Sequence, residues 1–435
     1  CVQAGVIFLP LNTAYTPEEV RYFVTDSGAA AFVCQPARRG EMAPVAKAAG
    51  CRLETLGAGE DGSLAERAAA APQSFETVAR SGDDLAAFLY TSGTTGRSKG
   101  AMLSQDNLLS NARTLAELWR FTEADVLLHA LPIFHTHGLF VATNVTLVAG
   151  GAMIFLPKLD IDALLEHMPR ATALMGVPTF YTRLLDDARF TRETAANMRL
   201  FISGSAPLLA ETHAAFEART GHRILERYGM TETNMNTSNP YDGDRIAGTV
   251  GMPLPGVEIR ITDPESDSHE SLPQGEIGML EVRGPNVFKG YWRMPEKTRA
   301  ELLDDGFFIT GDLAMIDEHG YVQIVGRDKD LVISGGFNVY PKEVEQVIDQ
   351  MPEVMESAVI GVPHPDFGEG VTAVVVLLPG QTLEESQVIQ SLAGHLAKFK
   401  QPKRVFFVDS LPRNTMGKVQ KKQLRDEYKN IYQGA

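Results

Sequence analysis

Tyr90-Thr91-Ser92-Gly93-Thr94-Thr95-Gly96-Arg97-Ser98-Lys99-Gly100 follows directly on the apolar run Leu85–Leu89. Its glycines let the backbone turn N–H groups toward an anion, its hydroxyls add donors, and Lys99 supplies charge. That chemistry suits a polyphosphate. It is not a Walker A loop, because Gly96 is followed by Arg97-Ser98 rather than by Lys and Ser or Thr. The plain alternative is a solvent-exposed Ser/Thr/Gly loop, which its place behind a buried strand disfavours. Residues 398–429 hold ten Lys or Arg against three acids, a local excess of +7 in a chain of net charge −15. Most of these read as a solvated lysine face; the sharper reading is a tail that meets a polyanionic small molecule.

The elements around these residues alternate. Val6–Leu9, Ala30–Cys34, Leu85–Tyr90, Val126–Leu131, Ala152–Leu156, Arg199–Ile202 and Arg223–Glu226 read as strands, several buried on both faces. Thr16-Pro17-Glu18-Glu19 offers an N-cap, a first-turn proline and a capping-box glutamate. Such alternation argues for α/β layers on largely parallel sheets. After about residue 250 the texture turns β-rich, with Val257–Thr262, Met279–Arg283 and Tyr321–Val325 suggesting a small antiparallel or barrel-like unit. From Asp328 a compact α+β pattern begins: Leu331–Ile333, a helix after Tyr340-Pro341, then Ser357–Val362, Val371–Leu377 and Val405–Val408. The boundary is placed at Gly326–Asp330.

At 435 residues, with 44% hydrophobic and 22% charged residues, the chain can bury a large core, and disorder is a poor reading. The acidic balance argues against nucleic acid and stable membrane association. Cys1, Cys34 and Cys51 form no disulfide scaffold or zinc pattern and fit a reducing cytosol, so a cytoplasmic protein is expected. Ala130–Pro157 lacks Asp, Glu, Lys and Arg, but Pro132, His135, His137 and Gly150-Gly151 interrupt it, so it reads as a buried helix followed by a buried strand.

The phosphate-type loop is similar to that of the adenylate-forming superfamily: acyl-CoA synthetases, adenylation domains and luciferases. Leu131–Gly138 (LPIFHTHG), Ile202–Leu208 (ISGSAPL), Tyr228–Glu232 (YGMTE), Phe308–Leu313 (FITGDL), Gly326–Pro341 (GRDKDLVISGGFNVYP) and Pro412–Lys418 (PRNTMGK) match further motifs in the family's order. Cys1–Leu11 resembles a segment already inside the family's large domain, so the first part of that domain is expected to be missing. The resemblance implies a large domain over residues 1–327, of layered, mostly parallel sheets with a β-barrel-like unit, and a small mobile α+β domain over 328–435.

It also implies a two-step reaction with ATP, Mg²⁺ and coenzyme A. A carboxylate attacks the α-phosphorus to give an acyl-adenylate and pyrophosphate; the CoA thiolate then displaces AMP. At matching positions Thr91, Ser92, Gly93, Thr94, Thr95, Gly96 and Lys99 hold the β- and γ-phosphates. Gly204, Ser205, Ala206 and Tyr228 bracket the adenine beside Gly229, Thr231 bonds the α-phosphate, and Glu232 holds Mg²⁺. Asp312 accepts from the ribose hydroxyls, with Arg327 beside it; alone, Asp312 after Gly311 reads as a turn residue. Lys418 is the adenylation lysine, Lys329 marks the hinge, and Gly335-Gly336 line the pantetheine path.

On residues alone Arg183, in the helix that begins at Pro178, reads as an exposed arginine. Within the family, however, this segment, His135-Thr136-His137-Gly138 and Thr231–Asn236 look like those of malonyl-CoA synthetases. That likeness implies a small dicarboxylic acid, malonate or methylmalonate, with Arg183 on the distal carboxylate, His137 as a further donor, and Thr136 and Met235 limiting bulk at the α-carbon. A medium-chain fatty acyl- or aryl-CoA ligase, a carrier-loading domain, and a truncated nucleotide-binding fragment stay as alternatives. Monomer and homo-oligomer are both left open.

Overall fold

The computed structural model describes residues 1–91, 98–266, 268–335, 337–393, 395–414 and 417–432. Helix α1 (Pro17–Ser27) starts as its sequence requires. Thr16 caps the Glu19 N–H, Glu19 answers with its carboxylate, and Gly28 in the left-handed region ends the helix. Strand β1 (Ala31–Cys34) pairs in parallel with β2 (Arg52–Thr55) across α2 (Arg39–Ala49), and α3 (Ser63–Ala69) follows. Val6–Leu9 does not become a strand. Only Phe8 bridges to Ala87, because Pro10 lacks the N–H that would continue the ladder.

Strands β3 (Leu85–Thr91) and β4 (Lys99–Ser104) form an antiparallel hairpin in which Thr91 faces Lys99. Ser104 caps α4 (Gln105–Leu118). A seven-stranded sheet follows, built from β5 (Val126–His129), β6 (Ala152–Phe155), β7 (Ala173–Gly176), β8 (Leu200–Ser203), β9 (Leu225–Met230), β10 (Asn234–Ser238) and β11 (Met252–Pro253) in the order β11-β10-β9-β8-β7-β5-β6. Its pairs from β6 to β9 are parallel, and β10 and β11 are antiparallel. The crossovers carry α5 (Asn144–Val148), entered through a π-helical turn at His137–Thr143, then α6 (Ile161–His167), α7 (Pro178–Asp186) and α8 (Ala210–Thr220). Strand β6 is not buried as expected: it is the sheet edge, and Phe155 is exposed.

The β-rich stretch is a four-stranded antiparallel meander, β12 (Glu258–Thr262), β13 (Gly278–Arg283), β14 (Phe308–Ile316) and β15 (Val322–Arg327), with α9 (Pro295–Glu301) between β13 and β14. The last sheet holds β16 (Val332–Ser334), β17 (Phe337–Val339), β18 (Val354–His364), β19 (Gly368–Leu377) and β20 (Arg404–Phe407), with α10 (Pro341–Ile348), α11 (Glu385–Leu392) and α12 (Lys421–Tyr428). Alternation along β19 sends Val371, Ala373 and Val375 into one apolar cluster and Val374 and Val376 into another. The large core instead runs from Ala87 to Val322. No helix among the described residues is long and apolar enough to cross a membrane.

Candidate active site

The loop expected to hold phosphates joins β3 to β4; its Ser92, Gly93, Thr94, Thr95 and Gly96 lie outside the described residues. At its far end Lys99 is largely buried, with Nζ 4.3 Å from the centre of the Tyr291 ring and 3.7 Å from a Glu301 oxygen. The Tyr291 hydroxyl donates to Glu232 Oε1 at 3.0 Å. Glu232 is 5% exposed, and burial raises its carboxyl above the usual range while Tyr291 and Lys99 oppose that shift. Thr231, Glu232 and Thr233 are the turn between β9 and β10. Register pairs Met230 with Asn234, and Asn234 takes the left-handed backbone (φ 50°) that such a three-residue hairpin requires.

Asp312 and Arg327 face each other across β14 and β15, with Nε 3.0 Å from Oδ1. The other oxygen, Oδ2, accepts from the Tyr228 hydroxyl at 2.5 Å. Burial and then Asp312 hold that phenol well above its ordinary range, so it stays a donor. A carboxylate has about four acceptor sites, and these two bonds leave room for ribose hydroxyls. The donor set fits the expected nucleotide.

The far wall is built at the ends of β8 and β9. Ser205, at φ 70°, brings its hydroxyl 3.2 Å from His137 Nδ1. His137 is 1% exposed, and burial, then Arg227, press its imidazole well below the ordinary value, so it is neutral. Burial and then Lys418 and Arg227 bring His135 down to about 3. The Met235 side chain closes over Gly229, where an added Cβ would stand 2.6 Å from the methionine methyl. Asn111 of α4 holds Met235 from behind, accepting from its N–H at 3.2 Å and donating to its carbonyl at 2.9 Å.

Arg227 is the residue that sequence reasoning missed. It is 3% exposed, and its Nε and Nη2 have no hydrogen-bond partner among the described residues. Burial pushes the guanidinium down to about 9, still a cation at neutral pH. Its neighbours are Tyr181, His137 and Gly204. A Cβ on Gly204 would sit 2.4 Å from Cζ and Nη1, so the guanidinium fills the space that only glycine leaves. His137 Nε2, Thr136 Oγ1 and Ser203 Oγ are likewise buried without a partner among the described residues. A sequence signal was present: Glu226-Arg227, two charges inside a strand otherwise made to be buried.

The structure does not join Arg183 to this group. Phe180, Tyr181 and Leu184 are the buried residues of α7, and Arg183 is exposed. Lys418, by contrast, does reach the site from the last sheet's side. Its side chain is open to solvent in the cleft, yet protein crowds it and, with Arg327, lowers its ammonium, while Asp312 and Glu232 pull the other way. Its backbone is set by Asn414, whose Oδ1 accepts the Lys418 N–H at 2.9 Å, and by Arg413, which bonds the Gly417 carbonyl at 2.5 Å and pairs with Glu356. Lys329 sits in a single 3₁₀ turn, Asp328–Asp330, and burial and Arg327 bring it down to about 8. Gly335, at φ 61°, lies against Phe367 at the turn after β16; Gly336 lies outside the described residues.

Sheet order, motif placement and a buried nucleotide-type site define a class. The chain belongs to the AMP-binding enzyme family: that family matches over residues 1–292, and the AMP-binding enzyme C-terminal domain matches over 343–418. It is 36% identical to the malonate–CoA ligase of Arabidopsis thaliana over 98% of this chain and 75% of that protein. It is 36% identical to a feruloyl-CoA synthase of Amycolatopsis over 98% of this chain and 85% of that one. ATP-bound MatB from Rhodopseudomonas palustris superposes with a TM-score of 0.97 at 66% identity, covering 99% of this chain and 85% of that one.

Proposed function

We propose that the chain is an ATP-dependent acid–thiol ligase that converts malonate to malonyl-CoA through an acyl-adenylate. One observation carries the choice of acid: Arg227, a buried cation with two nitrogens, Nε and Nη2, unpaired among the described residues. An uncompensated buried charge costs about 3–5 kcal/mol, and a carboxylate is the group a guanidinium pairs with bidentately. A fatty or aryl acid would leave that charge unpaired. The distal carboxylate therefore goes to Arg227, not Arg183, with His137 Nε2 beside it, while Thr136 and Met235 restrict the α-carbon.

The reacting carboxylate then lies toward Lys418, Thr231 and the α-phosphate. Its oxygen attacks the α-phosphorus, the P–O bond to pyrophosphate breaks, and Lys418 stabilises the charge that builds between them. Glu232 would hold Mg²⁺, a cation usually bound by one or two carboxylates together with phosphate oxygens, which would supply charge neutralisation there. Asp312, Arg327 and Tyr228 fix the nucleoside. In the second step the CoA thiolate attacks the acyl carbon and AMP leaves. The chain passes from the large unit to the small one at 327–330, and Lys329 is the hinge between the two half-reactions. The match to a malonate–CoA ligase and the likeness to ATP-bound MatB support this reading.

CoA-dependent AMP release with malonate, methylmalonate, acetate, octanoate and a cinnamate tests it. Malonate or methylmalonate should be preferred, and preference for octanoate or the cinnamate would reject the proposal. Gly204→Ala gives a second test. Its methyl group must push the Arg227 guanidinium aside, so KM for malonate should rise at least about tenfold, one 1.4 kcal/mol step. ATP–pyrophosphate exchange at saturating malonate should be affected less. An unchanged KM would mean that the guanidinium is not where malonate binds.

A further inference from the structure

Glu301 is the last residue of α9, a position where the helix dipole disfavours an acid. Its two oxygens are divided between two cations. Oε1 lies 2.6 Å from Lys297 Nζ, one turn back on the same helix, and Oε2 lies 3.7 Å from Lys99 Nζ. The Glu301 side chain is 21% exposed and that of Lys99 18%, whereas that of Lys297 is 43% exposed. Lys99 also rests on the Tyr291 ring, whose hydroxyl is bonded to Glu232. The result is a file of groups running Lys297, Glu301, Lys99 with Tyr291, then Glu232. Burial, Glu232 and Glu301 together keep the Tyr291 hydroxyl protonated, so it remains a fixed donor within the file.

We propose that Glu301 is an internal stand-in for nucleotide phosphate: it holds Lys99 in the free enzyme and releases it when ATP binds. Glu301 then stays neutralised by Lys297, and its competition sets how tightly ATP is held. The inference rests on the reading of Lys99 as a phosphate ligand. Lys297 is the reason the exchange is feasible. Without it, Lys99 could leave only by stranding a half-buried carboxylate beside an incoming polyanion. A second carboxylate near Glu232 otherwise has no evident purpose, since it repels both Glu232 and the triphosphate.

The test is equilibrium binding of MgATP to the full chain by calorimetry, without acid or CoA. Partly exposed ion pairs of this kind correspond to about a two- to fivefold change in affinity. Glu301→Gln should therefore tighten Kd about two- to fivefold, and the gain should shrink in high salt. Lys297→Met should act oppositely, because Glu301 is left to Lys99 alone. Lys99→Met should weaken binding, and adding Glu301→Gln to it should then bring no gain. If Lys99→Met weakens binding while Glu301→Gln leaves it unchanged or weaker, the stand-in role falls and the reading of Lys99 survives. If Lys99→Met has no effect, both fall. A gain from Glu301→Gln equal in both backgrounds would mean plain repulsion and overturn the exchange. Thermal melts of each variant report on folding independently.

Discussion

Arg227→Met should reduce the malonate-to-butyrate ratio of kcat/KM by about two to three and a half orders of magnitude. The figure follows from about 3–5 kcal/mol for a buried charge left without its partner, at 1.4 kcal/mol per tenfold. In the native pocket butyrate is the acid that strands the guanidinium; in the variant malonate is the acid that strands its own carboxylate. The penalty changes sides, and the preference narrows or inverts. Methionine is chosen because it is unbranched and apolar and fits the space beside Gly204 with little strain. Arg227→Lys should rescue little, since an ammonium cannot make the paired bonds. Arg183→Ala should leave the ratio within about twofold, as surface substitutions usually cost under 0.5 kcal/mol. A collapse with Arg183→Ala and none with Arg227→Met would reverse the assignment. Because the readout is a ratio, a poorly folded variant cannot imitate it.

Lys418→Ala should separate the two half-reactions. Stabilisation aimed at developing charge is worth about 2.7–4 kcal/mol per donor, so malonate-dependent ATP–pyrophosphate exchange should fall by two to three orders of magnitude. Malonyl-adenylate supplied with CoA should still give thioester at close to the native rate. Lys329→Pro should do the converse, sparing exchange and slowing thioester formation. Equal loss of both half-reactions in Lys418→Ala would make the residue structural.

The grouping of the residues assigned to the nucleotide was legible because each lies in a short motif of local sequence. Tyr228, Glu232, Asp312 and Arg327 lie inside such runs, and the structure brings them to one cleft with Lys418. The acid half was not. The inward arc of α7 is 180, 181 and 184, and Arg183 stands roughly 110° from its centre at 3.6 residues per turn, so periodicity alone leaves it exposed; only the family resemblance turned it toward the substrate. Arg227 escaped notice because the strand was expected to stop at Glu226, one residue short, whereas it runs Leu225–Met230 and carries Arg227 inside. Strand β14 was equally hard to see. Thr310, Gly311 and Asp312 look like a turn, and Gly311 does take a left-handed φ of 72° at a register shift in the β13 ladder; the pairing of Asp312 with Arg327 on β15 is what carries the strand on. Tyr291 and Glu301 reach Glu232 and Lys99 through tertiary proximity, which local sequence does not encode.

Arg327 ends β15 with its side chain fastened to Asp312, and the chain enters the 328–330 turn at the very next residue. With the hinge at 328–330 and the ribose on Asp312 as proposed, the fulcrum would be bolted to the load: the ribose anchor and the start of the lever would be one residue apart. A lever mounted this way has accuracy at its tip but no slack at its root. One residue inserted between Arg327 and Val332 would displace the arm by up to about 3.8 Å, where a misplacement near 1 Å can cost a hundredfold in rate. Residues 378–382 are by contrast an exposed turn after β19, where one inserted residue should be tolerated far better. Length at the root is therefore as strictly specified as any side chain in the pocket.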